Sequence, residues 1–229
     1  DGNTASSSIA WFVTASLTNG VTETSATSTL PVADTLTTDL NDFESGLADG
    51  WTVESDASLT AGAWELADPN GTTSGGVQSQ PEDSASGALC WITGNGAVGG
   101  AAGSADIDGG PTHLISPNLN LAGTDAVISF NLWYANIETD PTQQDDFVVS
   151  VSNDGGVTWN TALVVGGALG TSGSWQNFPF SVSDILTPSV STRVRFTATD
   201  APNNSLAEAG IDDFAIEISG CNGTGVITF

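Results

Sequence analysis

The chain has 229 residues, among them 27 Asp or Glu, two Arg and no Lys, and its formal net charge is −25. Such a chain repels phosphate, which argues against nucleic-acid binding and against contact with an anionic membrane surface. No apolar run reaches the roughly 18 to 20 residues of a membrane-spanning helix, so membrane insertion is not expected. The charge suits an extracellular or cell-surface protein, because salt or calcium there screens its self-repulsion.

The first segment, residues 8–30, predicts a β-hairpin that turns at Asn19-Gly20. Its first strand, "IAWFV", is apolar on both faces and needs cover on both sides, since an isolated hairpin is marginal in water. We therefore expect residues 1–40 to be the end of an immunoglobulin-like domain or an assembly strand pair. The hairpin is then expected to pack on another copy of the chain or on an adjacent domain, and docking on the main domain of its own chain is the alternative.

Residues 41–229 are predicted to form the main domain. Short runs rich in Val, Ile, Thr, Phe and Trp alternate there with Gly, Asn and Asp turn signals, which indicates an all-β fold. The architecture that we expect is a two-sheet antiparallel jelly-roll sandwich, with the N-terminal hairpin as an extra element. The glycine-rich and serine-rich stretches 66–88 and 94–112 are predicted to be long surface loops.

The run "VISFNLWY" illustrates the alternation that is typical of a half-buried strand. One face of it carries Ile128, Phe130, Leu132 and Tyr134. Trp133 has the opposite parity, so we expect it on the outer surface, where it would stack on a bound sugar ring. Packing in the core is the alternative for this tryptophan, as it is for the other six.

Two adjacent aspartates, Asp212 and Asp213, stand at the start of the last predicted strand. Successive side chains of a strand point to opposite faces, so one of the two carboxylates should point inward. A buried carboxylate must be protonated, hydrogen-bonded, ion-paired or metal-bound, and ion pairing is scarce in this chain. Calcium binds carboxylate and carbonyl oxygens, so we predict a calcium ion. The alternative is an aspartate hydrogen-bonded at the strand end, with the other acids solvated in loops.

Other candidate calcium ligands lie in "NDFES", "PED" and "DIDGG"; they are Asp42, Glu44, Glu82, Asp83, Asp106 and Asp108.

Three motifs, "DFESGLADGWT", "ISFNLWY" and "GIDDFAIEI", resemble in this order the MAM domain and related jelly-roll modules of secreted bacterial hydrolases and adhesins. The resemblance covers residues 41–221. It implies a jelly roll with a structural cation near the first and last strands, held by Glu44 and the Asp212/Asp213 pair. From the residues themselves we expect carbonyls or the acids of "DIDGG", Asp106 and Asp108, as further ligands. Asp42 stands where MAM domains carry a cysteine, so their disulfide pattern is not carried over and the bacterial relatives are favoured.

Cys90 and Cys221 are the only cysteines. A disulfide between them is expected because the chain has the character of a secreted protein. Two buried free thiols are the alternative.

The segment "SNDGGVTW", residues 152–159, resembles the Asp box of sialidases and many other β proteins. Asp154 is expected to bind turn amides while Trp159 packs beneath the turn. The box occurs once, and the arginine cluster that grips sialic acid is missing. Neither a glycosidase pair of acids nor a triad with His113 has further support, so we do not expect an enzyme.

These features predict a non-catalytic, extracellular, calcium-stabilised module for adhesion or assembly. It would hold a secreted protein to a surface, to a matrix or to copies of itself. The alternative function is that of a carbohydrate-binding accessory module of a secreted hydrolase.

Overall fold

The computed structural model describes residues 7–11, 14–16, 22–24, 28–32, 34–137, 144–166, 170–171, 173–201 and 205–221. These residues form seventeen strands and no helix, and so no helix that could cross a membrane. The strands are β1 (Ser7–Trp11), β2 (Thr14–Ser16), β3 (Thr22–Thr24), β4 (Ser28–Val32), β5 (Asp34–Asn41), β6 (Thr52–Ser55), β7 (Trp64–Ala67), β8 (Thr72–Ser74), β9 (Val77–Gln80), β10 (Cys90–Thr93), β11 (Gly109–Ile115), β12 (Asp125–Asn136), β13 (Phe147–Ser152), β14 (Asn160–Val165), β15 (Gln176–Ser181), β16 (Arg193–Asp200) and β17 (Ala207–Cys221).

Two compact units divide the chain: Asp1–Thr37 together with Ile218–Phe229, and Thr38–Glu217. In the first unit β1 pairs antiparallel with β4, and β2 with β3, which is the register of one hairpin around the predicted turn. The turn itself lies outside the described residues. The expected domain boundary after residue 40 stays a prediction. Packing of the hairpin on another copy or another domain stays a prediction.

The second unit is a sandwich of two sheets. One sheet has the strand order β15-β12-β17-β10-β7, with β5 also paired to β17, and the other has the order β14-β13-β16-β11-β6. Neighbouring strands run antiparallel. The predicted all-β, two-sheet antiparallel sandwich is confirmed.

Aromatic side chains join the two sheets. Phe196 on β16 lies 4.8 Å from Phe130 on β12 and 6.4 Å from Phe214 on β17, measured between ring centroids. It also stacks on Trp51 at 6.1 Å and on Phe147 at 6.3 Å. Contacts of this kind stabilise a core by about 0.5–1.5 kcal/mol each beyond their buried area.

The buried face predicted for "VISFNLWY" is confirmed, because all four side chains assigned to it are fully buried: Ile128, Phe130, Leu132 and Tyr134.

The outward face of the six-stranded sheet is covered by residues 70–89, which we call the covering segment. This part of the chain was expected to be a loop, but it contains the paired strands β8 and β9. The indole N–H of Trp133 donates to the carbonyl of Ser79 at 2.9 Å, and that of Trp175 donates to the carbonyl of Asp83 at 2.9 Å. Trp133 is therefore 3 % exposed, and it cannot serve as the sugar-stacking surface that its parity suggested.

Candidate functional site

The acids predicted to bind calcium at the first and last strands meet at one loop. Glu44 Oε1 accepts hydrogen bonds from the backbone amides of Ala88 at 2.8 Å and Leu89 at 2.7 Å. Asp212 Oδ2 accepts one from the amide of Ser86 at 3.0 Å. Backbone N–H groups of the covering segment thus hold both carboxylates.

Asp212 is buried and Asp213 is half-buried, and both carboxylates bond to Ser86 of the covering segment. Asp213 has a φ of 49°, in the left-handed region, which kinks the strand at this point. Its carboxylate accepts from the hydroxyl of Ser86 at 2.7 Å and from the amide of Asn131 at 2.8 Å. The buried Asp212 accepts the Asp213 amide at 2.8 Å as well as the Ser86 amide, so both of its oxygens have donors. Burial nevertheless raises its pKa to about 6.

Asp106 and Asp108 lie elsewhere. The amide of Ile107 between them donates to the carbonyl of Ala207 at 3.0 Å, so they flank the start of β17. Asp212 follows five residues later, roughly 16 Å along an extended strand. The structure therefore does not unite the five predicted ligands in one site. In the described part of the chain, no three Asp, Glu, His or Cys side chains are grouped as a metal centre.

Glu208 is a buried acid that sequence reasoning missed. It is 1 % exposed, and its Oε2 atom has no hydrogen-bond partner. Burial, followed by the charge of Asp106, raises its pKa well above the ordinary value. Burial and then the charge of Asp108 raise the pKa of Asp106 to about 6. The sequence feature that could have identified this buried acid is its position between two alanines, which is typical of a buried strand and not of a solvated turn.

The outward face of the five-stranded sheet has a different character. On β16, Val194, Phe196 and Ala198 are buried, so Arg193 and Arg195 project to the opposite side. Both arginines of the chain therefore leave the sheet on the same face. We call this surface the basic face; its residues are Glu54, His113, Ser150, Trp159, Arg193, Arg195 and Thr197.

Arg195 is held over an indole ring. Its guanidinium carbon lies 4.4 Å from the ring centroid of Trp159, a cation–π contact. Its Nε atom is buried without a hydrogen-bond partner, and burial lowers its pKa while the charge of Glu54 acts in the opposite direction. Gly156 packs on the same indole, and a Cβ atom there would lie 3.2 Å from Trp159.

The Asp box positions that tryptophan. Asp154 Oδ1 accepts the amides of Val157 at 3.0 Å and Thr158 at 2.9 Å, and the hydroxyl of Ser152 at 2.7 Å. These bonds, first of all the one from the Thr158 hydroxyl to Oδ2, lower the pKa of Asp154. The predicted turn is confirmed. The contact between Trp159 and Arg195 was not foreseen, because it depends on the order of strands in the sheet.

The remaining donors of the basic face lie beside Arg195. His113 Nδ1 lies 2.9 Å from Thr197 Oγ1, and these two residues are directly opposed on β11 and β16. Burial, then the charge of Arg195, lowers the pKa of His113. Arg193 Nε donates to Asn118 Oδ1 at 2.7 Å. The face thus presents guanidinium, imidazole and hydroxyl groups from adjacent, rigid strands.

A second concavity opens beside β5 and has a volume of about 430 Å³. Its floor includes Trp51 and Phe214, and Asp39, Asp42 and Asp49 lie among its lining residues. No lining residue is basic, so it complements a cation or an apolar group rather than an anion.

Cys90 on β10 is fully buried and its thiol is free in the structure. Burial raises the pKa of that thiol, which keeps it protonated and unreactive. The side chain of Cys221 lies outside the described residues. The free thiol of Cys90 favours the alternative of two thiols, and the disulfide stays a prediction that a thiol count on the unfolded, unreduced protein decides.

Solved structures share this fold at low sequence identity. The K3 cleaved adhesin domain of Lys-gingipain from Porphyromonas gingivalis has 18 % identity and a TM-score of 0.51, over 79 % of this chain and 99 % of that domain. The K1 domain of the same protein has 18 % identity and a TM-score of 0.50, over 82 % and 99 % of the two chains. The sandwich has the fold of these adhesin domains.

A family 11 carbohydrate-binding module from Clostridium thermocellum is more distant, with 12 % identity and a TM-score of 0.45 over 80 % of this chain and 95 % of the module. No protein-family model matches the chain. No curated protein sequence matches it. The resemblance to MAM domains stays an interpretation of the motifs.

Proposed function

We propose that the chain is a non-catalytic, extracellular adhesion module that binds a glycan through the basic face. The observation that carries the proposal is the placement of both arginines on one face, with Arg195 fixed on Trp159 and near His113 and Thr197. Polar groups that are held on rigid strands are suited to a hydroxyl-rich ligand, because little conformational freedom is lost on binding.

The composition of the face favours a glycan over a protein partner. The core of a protein interface is apolar and poor in charged residues. The centre of the basic face is instead charged, and the large exposed apolar side chains near it, Val157 and Val164, belong to the Asp-box turn and to β14. Assembly with copies of the chain is the second candidate function, and the apolar first strand of the N-terminal hairpin favours it.

Binding without catalysis fits the acids of the molecule. A glycosidase needs a carboxylic acid of raised pKa within reach of the sugar. Four acids with raised pKa are buried, Asp106, Asp200, Glu208 and Asp212, and the half-buried Asp145 is hydrogen-bonded to Asp200. Asp56, whose charge acts on His113, has a lowered pKa because the backbone and hydroxyl of Ser58 donate to it.

Calcium stabilisation is part of the proposal, with the neighbouring acids Asp106 and Glu208 as side-chain ligands rather than Glu44 and Asp212. The oxygens of Asp212 are served by amides, whereas Glu208 has a buried oxygen without a donor. Both arginines lie on the basic face, and the chain has no lysine, so an oxygen-seeking cation suits these acids. Backbone carbonyls and water would complete the coordination that calcium prefers.

The calcium proposal is tested by melting temperatures with calcium and with a chelator. A ligand that binds only the native state stabilises it by about 2.7 kcal/mol at a hundred times its Kd. We expect calcium to raise the melting temperature of the parent chain and of Glu44→Gln, and to leave Glu208→Gln unchanged. Equal curves with calcium and chelator for the parent chain would contradict the proposal.

The adhesion proposal is tested on a glycan array. We expect the parent chain to bind a subset of glycans, and Trp159→Ala to reduce that binding at least tenfold. The matched control is Asn177→Ala, on the outward face of the other sheet. Binding that survives Trp159→Ala, or that Asn177→Ala abolishes, would assign the site to another surface.

A further inference from the structure

Resting on the proposed function, we infer that the ligand of the basic face is an acidic polysaccharide, whose carboxylate or sulfate groups bind Arg193 and Arg195. The inference starts from the distribution of charge. The chain has 27 acids but only two arginines and one histidine as basic side chains, and all three belong to this face. A neutral glycan would give no reason for collecting every basic group on one surface.

The two arginines form a short row. They stand two residues apart on one face of β16, roughly 7 Å along the strand. Arg195 is opposite Ser150, and Arg193 is opposite Ser152, on β13. Ser150 and Ser152 are buried, and the Ser152 hydroxyl donates to Asp154, so an anionic group that approaches the face meets the guanidinium groups and not these hydroxyls.

The state of Arg195 indicates binding rather than structural work. An arginine that serves the fold alone is expected to use its N–H groups internally, as Arg193 Nε does with Asn118. Arg195 Nε has no such partner, and because that atom is enclosed, only the terminal amino groups of this guanidinium are left to meet a ligand. The guanidinium instead lies on Trp159, which fixes its plane, and a fixed planar fork binds carboxylate or sulfate with two parallel hydrogen bonds.

The negative charge of the chain does not prevent this binding. Glu54 is the carboxylate whose charge acts on Arg195, and it is exposed, so water and salt weaken the attraction. Charges farther away than about 8 Å are screened at physiological ionic strength. A polyanion that reaches the face therefore meets the two guanidinium groups together with the partly screened charges of Glu54 and Asp56.

Three polymers with one backbone test the inference: dextran, carboxymethyl-dextran and dextran sulfate. We expect the intact chain to bind at least one anionic polymer ten times or more tightly than dextran, and the binding to weaken as salt is raised. Arg195→Gln should weaken this binding at least tenfold, and Arg195→Lys should weaken it by a smaller factor. Asn177→Ala should leave the affinity unchanged. The melting temperature of each variant shows whether it folds. If Arg195→Gln does not fold, Arg195→Lys still tests the inference.

The outcomes are separable. If dextran or array glycans bind as tightly as the anionic polymers, and Arg195→Gln binds like the parent chain, the face takes a neutral glycan and only this inference is overturned. If no polymer and no array glycan binds, the proposed function fails with it. If light scattering instead shows self-association that Arg195→Gln abolishes, the occupant is a second copy of the chain and the inference is overturned.

Discussion

The outward faces of the two sheets each carry a tryptophan, and the two side chains have different surroundings. On the six-stranded sheet Trp133 lies under the covering segment and donates to Ser79. On the five-stranded sheet Trp159 is half-buried, with Arg195 over its ring. The comparison teaches that strand alternation decides which way a side chain points, whereas chain segments far away in sequence decide whether it meets water. Residues of the covered face are enclosed by protein, and the open face is the one for which we propose binding.

The largest effect should separate the two tryptophans. Trp133→Ala removes a fully enclosed side chain, and such truncations cost about 3–5 kcal/mol. Trp159→Ala should cost less than half as much in the free energy of unfolding, because the indole is partly exposed. Urea unfolding of both variants measures the difference. Equal losses would mean that Trp159 is as much a part of the fold as Trp133, and the distinction between the faces would collapse.

A smaller effect should come from the strand beneath the covering segment. A Cβ atom at Gly210 would lie 2.7 Å from Trp175 Cη2, so Gly210→Ala overpacks the covered face. Overpacking typically costs about 1–3 kcal/mol. The penalty should largely vanish when Trp175→Ala is present, which a double-mutant cycle measures. If Gly210→Ala lowers the free energy of unfolding by the same amount when Trp175→Ala is present, the loss comes from the strand and not from contact with Trp175.

The smallest effects concern pH and have opposite signs on the two faces. The pKa of Asp212 is raised from 3.8 to about 6, so between these values the native state holds a proton that the unfolded state has lost. The charged Asp212 lowers the free energy of unfolding at pH 7, and this loss is recovered as the pH falls through 6 towards 4. The pKa of Asp154 is lowered, so its contribution is present above the unfolded pKa and is lost as the pH falls through the folded one.

Melting temperatures of the chelated protein between pH 2 and pH 8 measure both effects. Asp212→Asn should flatten the rise in stability between pH 7 and pH 5, and Asp154→Asn should flatten the fall at the acid end. A variant that shifts the whole curve without changing its slope would show that the carboxylate acts through packing and not through its charge.

Much of the fold could be predicted because it depends on short-range pattern. Alternation placed Phe130 and its neighbours in the core, and the Asp box placed Asp154 in its turn. That one aspartate is buried was also predictable, but its direction was not: both carboxylates bond to Ser86 of the covering segment, because the left-handed φ of Asp213 interrupts the alternation. The group that satisfies Asp212 was not predictable either, because the amide of Ser86 comes from a segment 126 residues away in sequence.

The candidate site was predictable only in part, for the same reason. The parity of β16 already puts Arg193 and Arg195 on one side. Their approach to Trp159 and His113 depends on β16 lying between β13 and β11, and no local pattern carries strand order. Glu208 was missed because β17 begins at Ala207, earlier than the alternation after Asp213 suggests.

The central position of β16 has a mechanical consequence. Phe196 anchors this strand to both sheets, and the strand is paired on each side, to β13 and to β11. A pull on a ligand that is bound at Arg195 is transmitted through one peptide unit to that anchor. The strand can slide only if both rows of hydrogen bonds and the aromatic contacts break together. A pulling force is therefore distributed over all of these contacts. A binding surface mounted in this way resists shear at the middle of the sheet and not at a frayed edge.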